Sequence, residues 1–106
     1  MKLLFKTSTP SELKSEIISF AAGDKSKTWE IHELEGVKYL KHTQQWGSKG
    51  VIKLTCDTKN EHLVAEVLKY KSVEGVVSDF EGYYFGRFCE LVFVNFPNKI
   101  SIIEKG

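Results

Sequence analysis

Apolar residues recur along this chain with two different periods, and the changes between them divide it into elements. Residues 2–7 are a short apolar run that reads as a strand. From Thr9 the period becomes helical, with Leu13, Ile17, Phe20 and Ala21 at i, i+4, i+7 and i+8 forming a single stripe. Pro10 suits a first helical turn, Glu12 follows Thr9 at capping-box spacing, and Gly23 supplies a stop. The pattern predicts a helix over 10–22.

Two alternating runs follow, separated by Glu35-Gly36. A tight turn there sets Leu34 opposite Val37 and Trp29 opposite His42. One face then carries Trp29, Ile31, Leu40 and His42, and the other pairs Glu30 with Lys41 and His32 with Tyr39. An apolar face against a charge-paired face is the pattern of a half-buried hairpin. Residues 51–57 and 62–70 admit two readings. Leu63, Val64, Val67 and Leu68 fit a helical stripe, but a hairpin turning at Thr58-Lys59-Asn60-Glu61 pairs Ile52 with Val67, Leu54 with Ala65 and Cys56 with Leu63. It also sets Lys53 opposite Glu66, so one register satisfies both faces, and the hairpin is preferred.

Residues 71–82 read as a polar connection. Phe88, Leu91, Val92 and Phe96 then share one helical face ahead of Pro97, which favours a helix over 85–96, although Val92 and Val94 also suit a strand. Ile100-Ser101-Ile102-Ile103 adds a last strand. The expected fold is α+β: a largely antiparallel sheet of about five to six strands, in the order β-α-β-β-β-β-α-β, with two helices packed against it.

Composition narrows the class without naming a chemistry. The chain has 106 residues, 42% hydrophobic and 27% charged, which is one ordinary globular domain. A net charge of +1 argues against a protein built to coat nucleic acid. Lys25, Lys27, Lys38, Lys41, Lys49 and Lys53 cluster in the first half, but glutamates interleave with them, giving a charge-mixed solvated face. No apolar stretch approaches the ~20 residues of a membrane span, and residues 1–6 do not read as a signal peptide. Cys56 and Cys89 lie among apolar neighbours and read as free thiols in a reducing cytosol.

Catalytic constellations are weak. His32, His42 and His62 lack metal-ligand spacing, and in the hairpin register His32 and His42 point to opposite faces. Cys89 has no base at readable spacing, and no phosphate-binding glycine pattern is present. Arg87 and Glu90 stand at i,i+3, a pair worth about 0.2–0.5 kcal/mol; burial of Arg87 against Tyr83 or Tyr84, fixing the helix entry, is the favoured reading. The most asymmetric segment is 73–81, which holds Glu74, Asp79 and Glu81 with no base and leads into Tyr83. Acids beside aromatics suit a protein-docking surface, and equally a solvated loop.

Three patches, Thr28-Trp29-Glu30-Ile31, His42-Thr43-Gln44-Gln45-Trp46 and Tyr83 through Phe96, resemble in order and spacing the small bacterial proteins that neutralise contact-dependent growth inhibition toxins. The chain departs from that pattern in the neutral turn Leu34-Glu35-Gly36-Val37 and in Asn95, where the family has a histidine. The resemblance implies a cytoplasmic monomer, without cofactor, metal or enzymatic activity. Such a protein inhibits one cognate toxin, commonly a nuclease, in a 1:1 complex that occludes the active site or the substrate path. It needs neither a membrane nor direct contact with nucleic acid. Immunity surfaces differ between members, so no binding residue carries over. A nuclease presents a basic cleft to phosphates, so Glu74, Asp79 and Glu81 are the expected contacts, with Tyr83 as an anchor. A generic adaptor or structural protein and an uncharacterised small enzyme stay open as alternatives.

Overall fold

The computed structural model describes residues 1–23 and 26–106. Along the chain it runs β1 (Lys2–Lys6), α1 (Pro10–Ala22), β2 (Trp29–Leu34), β3 (Val37–His42), β4 (Gly50–Asp57) and β5 (His62–Lys69). A 3-10 turn at Val77–Asp79, α2 (Glu81–Asn95) and β6 (Ile103–Lys105) complete it. The strands form one sheet in the order β2-β3-β4-β5-β1-β6, with every pair antiparallel. The fold is therefore α+β, as the hydrophobic pattern predicts.

Both hairpins adopt the expected registers. Trp29 pairs with His42, Glu30 with Lys41, Ile31 with Leu40 and His32 with Tyr39. Ile52 pairs with Val67, Lys53 with Glu66, Leu54 with Ala65 and Cys56 with Leu63. A one-residue slip would turn Leu40, Ile52 and Leu63 out of the core, and all three are fully buried. The β2–β3 turn has φ 52° at Glu35 and 80° at Gly36. Positive φ at both central residues is the requirement of the hairpin turn whose twist matches its strands. Glu35 meets it without the freedom of glycine.

α1 and α2 pack against one sheet face and share a single core with Phe5, Leu40, Ile52 and Leu63. Phe5 and Phe88 meet edge to face at 5.4 Å, which locks β1 to α2. The opposite sheet face carries the alternate residues, among them Lys2, Glu30, Lys53 and Thr55, all exposed.

Element ends depart from the sequence pattern in four places. The capping box at Thr9 and Glu12 does not form. Thr7, buried at the end of β1, accepts the Thr9 N–H on its Oγ1 at 3.2 Å, and Glu12 is drawn instead to Lys99 Nζ at 3.5 Å. Gly23 ends α1 in an extended conformation (φ −85°, ψ 165°), so it is not a left-handed cap. α2 begins at Glu81 rather than 85, because buried Phe80 accepts the Tyr84 N–H at 3.1 Å and the early turn tolerates Gly82. The last strand lies at Ile103–Lys105 instead of 100–103, where Ile103 pairs with Phe5; Ile102 remains exposed beside it.

Candidate functional site

The chain must leave β3 at His42 and re-enter the sheet at Gly50, and one phenol from α2 holds both ends. Tyr84 is fully buried; its oxygen accepts the His42 backbone N–H at 3.0 Å, and its O–H donates to the Gly50 carbonyl at 2.8 Å. Burial pushes the Tyr84 hydroxyl far above the ordinary tyrosine range, so it stays protonated and can bridge. The intervening turn is closed by Gly47 N–H to the Gln44 carbonyl at 3.3 Å and Lys49 N–H to the Trp46 carbonyl at 3.0 Å. Gly47 is required for its lack of a side chain, since a Cβ there would overlap the His42 carbonyl oxygen. Thr43 ties the turn to the entry of β2: its N–H donates to the Thr28 carbonyl and its Oγ1 to the Lys27 carbonyl, each at 2.9 Å.

Around this bridge the aromatic rings converge. Trp29, buried, meets His42 edge to face at 5.3 Å, Tyr84 at 5.9 Å and Phe88 at 6.1 Å. Above them the Trp46 and Tyr83 rings stack at 4.9 Å with 12° between their planes. Tyr83 is 65% exposed, so the stack forms a surface platform joining the 43–49 turn to α2.

Beside the platform opens a crevice of about 320 Å³, lined by Thr28, Trp29, His42, Gln44 and Gln45 and by Arg87 and Glu90 of α2. A recess of about 120 Å³ extends it along α2 past Leu91 and Val94. His42 is only 6% exposed, and its Nδ1 accepts the Gln44 N–H at 3.3 Å, which places the ring proton on Nε2. Burial, and secondarily the positive charge of Arg87, holds His42 below its ordinary pKa of 6.5. The imidazole is thus a neutral N–H donor at pH 7.

The expected burial of Arg87 is not observed. Tyr84, Phe85 and Phe88 take the inward positions of α2, which leaves Arg87 on the solvent side at 3.6 Å from Glu90. Its exposed guanidinium now forms part of the crevice wall. His32 lies on the other sheet face beside Tyr70, apart from His42 as the register requires. Among the described residues no three His, Cys, Asp or Glu side chains gather as a metal set. Cys56 and Cys89 are free, and burial raises the Cys89 thiol above its ordinary range. Lys41 is 3.9 Å from Glu30, in keeping with a charge-mixed face, and Lys25 lies outside the described residues.

The four residues expected at the docking surface stand in different surroundings. Glu74 is exposed on its loop. Asp79 Oδ2 accepts the Val76 N–H at 3.2 Å and so fixes the 3-10 turn. Glu81 is half-buried, with its Oε2 3.5 Å from the Met1 amino group and otherwise without a hydrogen bond. Only Tyr83 joins the platform. The crevice residues were individually visible in the sequence as the three resembling patches, but nothing local shows that positions 28–29, 42–46 and 83–90 meet. No protein-family model, no characterised protein and no solved structure matches this chain.

Proposed function

We propose that this protein is an immunity protein: a one-to-one inhibitor that binds a toxin domain delivered by a neighbouring cell, commonly a nuclease, and covers its active site or substrate path. The observation that supports this reading is the convergence of the three resembling patches on one surface. A buried Trp29–His42–Tyr84 cluster fixes the backbone, and a stack of half-buried Trp46 on exposed Tyr83, with a polar crevice, borders it. Tryptophan, tyrosine and arginine are the residue types that dominate binding energy at protein interfaces; Trp46 stacks on Tyr83, and Arg87 follows Tyr83 one helical turn along α2. Rigid aromatic anchors on a preorganised backbone lose little conformational entropy on docking, as a tight inhibitor needs. The chain acts by binding, without chemistry of its own.

Tyr83 anchors the interface, and Glu74 extends it as a steering charge toward a basic cleft. Asp79 already holds the Val76 N–H, and its part is to present the loop that carries Glu74, while Glu81 lies beside the Met1 amino group. The test is protection. Cells expressing the product of the immediately adjacent upstream gene should survive only when this chain is co-expressed, and the two proteins should co-purify. Survival independent of this chain, with no co-purification, would remove the proposal.

A further inference from the structure

The sheet leaves one long edge open. β2 is its outermost strand, with six residues that pair in unbroken register and only with β3. At the opposite edge β6 has three residues. The tight turn sets the phase of β2, because a two-residue loop closes on a hydrogen-bonded pair, here Leu34 with Val37. Leu34, His32 and Glu30 therefore bond inward to β3, and the Thr43 N–H on the Thr28 carbonyl at 2.9 Å continues that parity. The backbone groups of Trp29, Ile31 and Glu33 point away from the sheet. Ser26 Oγ takes both groups of Trp29, accepting its N–H at 3.2 Å and donating to its carbonyl at 3.1 Å. The N–H and carbonyl groups of Ile31 and Glu33 have no hydrogen-bond partner among the described residues.

We infer that β2 is a strand-addition site, at which an extended segment of the protein partner pairs antiparallel through Ile31 and Glu33. Alternating open donors and acceptors on an extended backbone are satisfied in full by another extended chain, and main-chain bonds supply the affinity in this mode. The side chains set the sequence it takes. Lys38 stands opposite Glu33 on β3 but forms no ion pair with it, and Glu35 has none among the described residues. Glu30 reaches Lys41 only at 3.9 Å. The edge therefore favours lysine or arginine opposite Glu33 and Glu30. Ile31 is half-buried against the core and favours an apolar residue opposite it. From its N-terminus the incoming segment reads basic, free, apolar, basic. A second copy does not fit. The two-fold register that uses all four open groups sets Ile31 against Glu33 of the second copy and His32 against His32, and it joins two glutamate-rich edges. The edge begins at Trp29, which also lines the crevice, so the added strand runs up to the candidate site.

Only the source of the segment depends on the docking reading, so the test needs no partner. The full chain, labelled with nitrogen-15, is titrated into the millimolar range with the peptide acetyl-Thr-Lys-Thr-Val-Lys-Thr-amide. Its lysines then face Glu33 and Glu30, and its valine faces Ile31. Saturable shifts centred on the Ile31 and Glu33 amides are expected, with slowed exchange of both. Methylating the valine nitrogen, which faces β2, should abolish them, whereas methylating the nitrogen of the central threonine, which faces away, should not. Replacing both lysines by glutamate should also abolish them, and Glu33→Gln, at an exposed position, should weaken the response about two- to fivefold. Absence of saturation, an equal response to the N-methylvaline or the glutamate peptide, or shifts centred elsewhere would each overturn the assignment. So would a dimer in sedimentation with the Ile31 and Glu33 amides already protected, which would give the edge to a second copy. Failure of co-expression protection would leave this titration unaffected, so the two readings fail separately.

Discussion

Replacing Tyr84 by phenylalanine removes one oxygen from the centre of the fold, and the structure sets the cost. That oxygen accepts from the His42 N–H at 3.0 Å and donates to the Gly50 carbonyl at 2.8 Å, and all three residues are buried. The substitution leaves one backbone donor and one backbone acceptor without partners. At about 1–3 kcal/mol for each buried orphan, the loss is roughly 2–6 kcal/mol, the lower end applying if a water fills the vacated space. Against the ~5–15 kcal/mol of a domain this size the change is large. It corresponds to a melting temperature lower by about 10–30 °C. Urea midpoints and calorimetry on Tyr84→Phe and Tyr83→Phe measure it, because the Tyr83 hydroxyl makes no hydrogen bond among the described residues and its loss should fall within about 0.5 kcal/mol. Amide exchange should further show the His42 and Gly50 region opening selectively in Tyr84→Phe. If Tyr84→Phe falls within about 0.5 kcal/mol of the parent, the phenol does not hold the 42–50 segment, and the account of how the crevice is built is wrong.

Three further outcomes follow from the same geometry. Glu35→Asn should stabilise the chain by about 0.5–1 kcal/mol, because Glu35 sits at φ 52° in a turn that favours asparagine; an unchanged or lower urea midpoint would refute the strain argument. Gly47→Ala should cost about 2–4 kcal/mol by forcing the turn away from the His42 carbonyl, and should abolish the Trp46 contribution to near-ultraviolet dichroism; a fully native spectrum would contradict it. Acid should weaken the fold through His42, whose folded pKa lies below the unfolded value near 6.5, so the unfolded chain binds the extra proton. Stability from this group is intact above about pH 6.5 and falls as pH drops toward the lowered value, by at most about 1.4 kcal/mol per pH unit. Arg87→Gln removes the smaller cause of the depression and should shallow that slope below about pH 6.5; an unaltered slope would show that Arg87 does not act on His42.

How far the sequence carried the fold depended on whether a signal was local. The two hairpins were legible to the residue because each register had to place apolar residues on one face and Glu30–Lys41 or Lys53–Glu66 on the other. α1 was legible from its stripe over 10–22, and only its capping box fails, because buried Thr7 accepts the Thr9 N–H that Glu12 was expected to serve. α2 starts four residues early because tertiary burial of Phe80 and Tyr84 outweighs the low helix propensity of Gly82. Arg87 was placed inside for want of its helical phase, since once Tyr84 and Phe88 face the core, a residue three past Tyr84 at the flank reaches solvent. The crevice depends on contacts spanning some sixty positions, from Thr28 to Glu90, and no pattern in one segment encodes that meeting. Only the resemblance singled out these segments together.

The central claim is that the Trp46–Tyr83 face docks a protein, and calorimetric titration against the adjacent upstream gene product tests it most directly. The account predicts a 1:1 complex tighter than about 10 nM, near ~11 kcal/mol, weakened at least about a hundredfold by Tyr83→Ala or Trp46→Ala with little change in melting temperature for the exposed Tyr83. No heat of binding, or a complex that both substitutions leave intact, would contradict it.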